Sequence, residues 1–197
     1  MTNLDEIRAA VASGDTTQRV RAITALREFP ADDCVPLLLE CLRDEVFLVR
    51  SLACMGLGYK RNQQSLQALL LVLESEGDAN VRAEAANSLA RHGAEAAVAP
   101  LLALYQRDDH WLVRRSILAA LGEEEGVPDQ VIWQLAELAL ADGDTNLQLS
   151  GVELLNRLVN APVFSAQALA RLEELRQSSN HRLAGAALER LLPPEPC

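Results

Sequence analysis

The side chains that most readily do chemistry are few and scattered in this 197-residue sequence. Its three histidines, His92, His110 and His181, stand far apart, and none is followed by Glu. Zinc and iron sites need several ligands converging at characteristic spacings, and no such constellation is legible. His110 precedes Trp111, a pair that capping and packing at a helix start account for, with a functional role as the alternative. The four cysteines, Cys34, Cys41, Cys54 and Cys197, show no Cys-x-x-Cys spacing. Cys34 and Cys41 share a helical face, and Cys54 falls on a core-facing position. Small buried thiols are ordinary core residues; a soft-metal site built from the three is the alternative. Cys197 follows Pro-Pro-Glu-Pro and reads as an exposed thiol outside any prenylation box. No nucleophile elbow and no glycine-rich phosphate loop occurs. The expectation is no catalytic residue, no metal and no cofactor.

An internal repeat positions these residues. An Arg, a small residue three later and Leu four after that recur as Arg19-Ala22-Leu26, Arg50-Ala53-Leu57, Arg82-Ala85-Leu89 and Arg114-Ile117-Leu121. The phrase continues, degraded, as Gln148-Gly151-Leu155 and His181-Ala184-Leu188, with anchors 31, 32, 32, 34 and 33 residues apart. Positions 0, +3, +4 and +7 share one face of an α-helix, so the small residue and the Leu face the core together. Twelve residues before each anchor stand Ile7, Leu38, Leu70, Leu102, Ala136 and Leu169, read as the core column of a partner helix. Pro36 and Pro100 read as first-turn prolines of such helices. The pattern predicts twelve helices, about 3–12, 17–29, 35–43, 47–59, 65–75, 79–92, 96–106, 111–122, 129–141, 145–159, 164–177 and 180–191.

Acidic residues precede the anchors by four to six positions: Asp15, Asp44, Asp78, Asp109 and Asp144. Carboxylates there can cap helix N-termini. They can also pair with the Arg of an adjacent repeat, giving a structural ladder of Asp44, Arg50, Asp78, Arg82, Asp109 and Arg114.

Composition sets the class. Apolar residues make up 49% of the chain but aromatics only 4%, and abundant Leu and Ala favour helices. A formal charge of −10 and the lack of a basic stripe argue against nucleic acid as partner. No apolar run suits a membrane span, so no membrane insertion is expected. The N-terminal stretch reads as acidic and amphipathic, unlike a targeting peptide. Unpaired cysteines suit a reducing cytoplasm.

The segments Val49 to Gly58 and Val81 to Ala90 resemble the short HEAT-like repeat named after phycobilisome lyases, over residues 15 to 190. The resemblance implies an all-α, right-handed α-α superhelix, a HEAT/armadillo-like solenoid of about six helical hairpins. One array is expected over 1–192, with repeats of about 1–30, 31–61, 62–93, 94–126, 127–160 and 161–192, and a flexible tail at 193–197. The metal-dependent hydroxylase of this solenoid class relies on His-Glu pairs, which are absent. The resemblance also implies a cyanobacterial origin and a non-catalytic, chaperone-like scaffold or adaptor, whose partner is another protein, a phycobiliprotein being one candidate. The alternatives it implies are a phycobilin lyase or isomerase subunit, and a HEAT partner of an iron–sulfur assembly protein.

In HEAT solenoids, anchor-helix positions −2, +2, +5 and +9 line the inner curve. In the second repeat these are Leu48, Leu52, Met55 and Tyr59, all apolar or aromatic. Phe47 and Trp111, each three before an anchor, take matching places in their repeats. With Glu84, Asn87, Arg91, Leu112 and Arg115 they form the candidate protein-binding face. The alternative is that Leu48 and Leu52 fill gaps between repeats. For a lyase, Arg82, Arg114 and Arg115 with Trp111 and Tyr59 would have to hold a tetrapyrrole.

Overall fold

A computed structural model describes residues 3–191. The tail expected at 193–197, Cys197 included, lies outside the described residues. Among those described, the fold is all-helical, with twelve α-helices and no strand. The helices are α1 Leu4–Val11, α2 Thr16–Ala25, α3 Ala31–Cys41, α4 Phe47–Tyr59, α5 Gln63–Ser75 and α6 Ala79–Ala90. They continue as α7 Ala94–Arg107, α8 Trp111–Glu123, α9 Asp129–Leu140, α10 Thr145–Leu158, α11 Ser165–Arg176 and α12 His181–Leu191. A 3-10 turn, Leu26–Glu28, extends α2. No helix among the described residues is long and apolar enough to cross a membrane.

Side-chain caps start many of the helices. Asp15 accepts from the Thr17 amide, Asp78 from the Asn80 and Val81 amides, and Asp144 from the Asn146 amide. Asn3 with Glu6 and Asn62 with Ser65 form reciprocal capping boxes. Two expected starts move. Pro36 and Pro100 lie inside α3 and α7 and not in their first turns. The operative start signals are upstream. Pro30 caps α3 ahead of Asp32 and Asp33, and Gly93, at φ +97°, turns the chain into α7. A glycine takes that backbone conformation without the Cβ clash other residues suffer.

The chain divides into two compact units, Met1–Ile117 and Leu118–Cys197, the boundary falling within α8. In the first unit, α2 packs on α4 and α4 on α6, with α3 and α5 forming the partner row. The anchor columns make the core: Ala22, Leu26, Ala53, Leu57, Ala85 and Leu89 are all buried. In the partner row Ile7 and Leu38 are buried as expected, but Leu69 and Leu101 take the places assigned to Leu70 and Leu102. The stretch between column and anchor is one residue longer there, and one residue turns a helix by about 100°. In the second unit α9 packs on α10, and α11 on α12. There Ala168, Leu183 and Ala187 are buried while Leu169 and Leu188 are exposed. The sixth anchor is therefore Asn180, one position before His181.

Candidate functional site

Two sets of cationic side chains tie neighbouring anchor helices together, one at each end. At the N-terminal end each Arg reaches back to a carbonyl six residues before it. Arg19 bonds the Ser13 oxygen, Arg50 that of Asp44, Arg82 that of Glu76 and Arg114 that of Asp108; Gln148 keeps the bond to Asp142. The same guanidinium crosses to the next repeat. Arg50 grips Glu76 with Nε–Oε2 at 2.8 Å and Nη2–Oε1 at 3.0 Å. Arg82 grips Asp108 with Nε–Oδ2 at 2.7 Å and Nη2–Oδ1 at 3.3 Å. Arg19 Nε lies 2.7 Å from Asp44 Oδ2 as an ion pair without a hydrogen bond, and Nη2 donates to Oδ1 at 3.3 Å.

The ladder acids are thus Asp44, Glu76 and Asp108. Asp78 and Asp109, read from the sequence as rungs, are not these partners. Asp78 is occupied at the start of α6, and Asp109 is exposed. The acid six before the anchor crosses the repeat boundary while the one four before caps its own helix, although both accept the amide two residues on. Asp44 takes Val46 N, Glu76 takes Asp78 N and Asp108 takes His110 N, as Asp15, Asp78 and Asp144 take theirs at the helix starts. Burial opposes ionisation of Glu76 and Asp108. The Arg50 and Arg82 hydrogen bonds and these amides outweigh it and hold both carboxyls below their ordinary range.

At the C-terminal end, Lys, Arg and a His imidazole bond carbonyls in the last turns of helices and in the loops that follow. Lys60 Nζ donates to the Arg27 and Phe29 oxygens at 2.8 and 2.5 Å. His92 Nε2 meets the Leu57 oxygen at 3.3 Å, and Arg61 reaches the Arg91 oxygen at 2.9 Å. In the second unit Arg157 spans the oxygens of Leu121, Gly122, Glu124 and Val127. At its N-terminal end the last repeat joins without an ion pair, Asn180 donating to Thr145 and the Arg182 guanidinium to the Asn146 amide oxygen.

Between these two sets lies the candidate binding face. Phe47, Leu48, Tyr59 and Trp111 are 46%, 45%, 64% and 50% exposed, high for large apolar side chains. Leu52 and Met55 are half-buried and, with Tyr59, wall a cavity of about 490 Å³ between α2 and α4. Its other walls are Ile23, Thr24, Leu26 and Arg27 from the α2 side, Leu38 from α3, and Gly56 and Lys60. The α2 wall was not legible in the sequence, because the first repeat's inner face is polar. Its one signal was Thr24, which occupies the register position of Met55.

Arg91 lies over the Tyr59 ring, 4.7 Å from its centroid. Glu84 accepts from Ser88 Oγ at 3.3 Å. Burial raises its pKa above the ordinary carboxylate value, against the opposing Ser88 bond and the charge of Arg91. Asn87 is half-buried on the same helix. Trp111, Leu112 and Arg115 stand on α8, two repeats along from Phe47. Trp111 stacks on His110 with centroids 6.2 Å apart, and the His110 Nδ1 accepts from the Leu112 amide. The His110-Trp111 pair therefore caps and packs the start of α8.

The buried thiols are poor nucleophiles. Burial pushes Cys41 up to about 11 and Cys54 up to about 12, and raises Cys34 as well. Cys34 Sγ also meets the Leu26 carbonyl at 3.0 Å. Among the described residues no group of three or more His, Cys, Asp or Glu side chains is placed to hold a metal.

Two overlapping matches to HEAT repeats cover residues 4–69 and 47–122, more than half of the sequence. The chain belongs to the HEAT-repeat family. HEAT arrays are protein-interaction scaffolds whose stacked hairpins expose an extended face. No curated protein matches the sequence. Among solved structures, an engineered protein is similar at 19% identity and a TM-score of 0.60, covering 97% of this chain and 96% of its own. The complex of CpcE and CpcF of phycocyanin lyase from Nostoc sp. PCC7120 is similar at 21% identity and a TM-score of 0.63, covering 97% and 76%. The archaeal HEAT-like repeats protein from Thermococcus onnurineus NA1 is similar at 19% identity and a TM-score of 0.55, covering 97% and 80%. At these identities the likeness is one of fold, and the HEAT solenoid is what the four chains share.

Proposed function

We propose that this HEAT array is a non-catalytic scaffold or adaptor, and that it holds its protein partner on α4 and the cavity beside it. The observation that carries this is the joint placement of Leu52, Met55 and Tyr59 around about 490 Å³ of space, next to exposed Phe47 and Leu48. Interfaces concentrate their energy in apolar and aromatic anchors seated in such depressions. The ladder and the carbonyl caps engage Arg19, Arg50, Arg82, Lys60 and Arg61 of these repeats, which gives those cations a structural role beside the face. The test is Leu52→Asp with Met55→Asp. Loss of the partner from affinity captures, with the thermal midpoint nearly kept, is the expected result. A collapsed fold instead would mean that these side chains only fill the space between repeats.

The second reading is a phycobilin lyase-type subunit, supported by the likeness to the CpcE–CpcF complex. The cavity volume lies within the roughly 300–1,000 Å³ range of small-molecule clefts, and Arg27 stands on its wall. A phycobilisome role and a phycobiliprotein partner belong to this reading. Mixing the purified chain with phycocyanobilin decides it by visible absorption: an unchanged pigment spectrum removes it.

A further inference from the structure

The cavity between α2 and α4 has a charge character opposite to that of the chain. The sequence carries 28 acidic against 18 basic side chains, yet Arg27 and Lys60 line this cavity and no carboxylate does. Lys60 is committed to the Arg27 and Phe29 carbonyls and closes one end. The Arg27 side chain is exposed and makes no hydrogen bond or ion pair among the described residues. Arg21 is also exposed, on the inner face of α2 at the register position Leu52 holds in α4. Arg61 and Arg91 continue the basic edge past α4 and α6. Glu84, the inner-face carboxylate of α6, is turned to Ser88. Glu28 stands beside Arg27 in the same 3-10 turn but does not line the cavity.

The geometry points to one kind of occupant: a partner segment that seats an aliphatic or aromatic side chain between α2 and α4 and sets flanking carboxylates against Arg21 and Arg27. The inference rests on the protein-binding reading above and adds the partner's chemistry. An apolar anchor alone would fill the cavity but leave its cationic mouth facing solvent. A basic flank would meet like charge, which is how an interface rejects wrong partners. A steering role follows, because rim charges act mainly on association rate and its salt dependence.

The test is selection of random peptides displayed on phage against the full chain, run in parallel on Leu52→Asp/Met55→Asp and on Arg21→Glu/Arg27→Glu. Circular dichroism melts confirm that both variants fold. The expected yield is peptides with an apolar anchor flanked by Asp or Glu. On the double Glu variant their binding should fall on the order of tenfold, and it should weaken with added salt. Selected peptides with apolar anchors but neutral or basic flanks, binding both arginine forms alike, would overturn the acidic-partner inference and leave the protein-binding reading standing. Enrichment no better than on Leu52→Asp/Met55→Asp would overturn both.

Discussion

Arg82 and Asp108 meet as a two-pronged pair across a repeat boundary, while Arg82 Nη1 also holds the carbonyls of Glu76 and Gly77. One side chain therefore fixes its own loop and the next at once. Asp108 is itself 8% exposed and orients the His110 amide. Removing it strands a guanidinium and an amide together.

Asp108→Ala should destabilise the chain by about 3 kcal/mol, the scale for breaking a largely buried pair from one side. Asp108→Asn keeps an acceptor for His110 and should cost less, about 1–2 kcal/mol. Urea unfolding followed by circular dichroism gives both values. Equal losses would show that the charge pairing with Arg82 accounts for the whole effect and that the bond to the His110 amide adds nothing.

Stability should fall in two stages as the solution is acidified. His92 is held below its ordinary value of 6.5 by burial, against the opposing bond to the Leu57 carbonyl. The unfolded chain then takes up that proton first, so stability begins to drop below about pH 6.5 and levels off below the folded value. Glu76 and Asp108 are depressed acids. Their contribution is complete above the unfolded carboxylate range, roughly pH 4, and is lost as pH falls through their folded values. Thermal midpoints between about pH 7 and pH 3 should show both limbs. His92→Gln should flatten the first and Asp108→Asn the second. An upper limb unchanged in His92→Gln would assign it to another group.

Two helical glycines should respond to alanine with opposite signs. A Cβ on Gly58 would sit 2.8 Å from Ser88 Cβ and 2.9 Å from its Cα, so α4 and α6 would have to part. Overpacking of this kind costs about 1–3 kcal/mol, only partly offset by a helix-propensity gain of about 1 kcal/mol. Gly58→Ala should lower the midpoint. Gly185, inside α12, has nothing within 4 Å of its would-be Cβ, and Gly185→Ala should add about 0.5–1 kcal/mol. Scanning calorimetry of the two variants checks the pair.

Helix number and anchor periodicity were readable because a buried column recurs on one helical face whatever its partner. The ladder was half readable. Asp44, Glu76, Asp108 and Asp142 stand six before their anchors, while Asp15, Asp78 and Asp144 stand four before. Both columns lie in the same short loops, and the spacing alone does not show which carboxylate turns to its own amides and which crosses to a neighbour. Both columns accept the amide two residues on, so the choice lies in the folded geometry of the loop. On the binding face, the apolar run of α4 stood out as a pattern, but the cavity needs a second wall. That wall comes from Ile23, Thr24, Leu26 and Arg27, two core residues and two polar ones brought together by where α2 is packed.

The Arg19–Asp44 pair at one end and the Lys60 bonds to Arg27 and Phe29 at the other clamp α2 and α4 together on either side of the cavity. A receptor held open this way spends little free energy on rearranging itself when something enters. Encounter rates among related ligands should then differ chiefly through charge, and their lifetimes on the protein should differ far more. Residence time, more than capture speed, would be the quantity that tells one ligand from another.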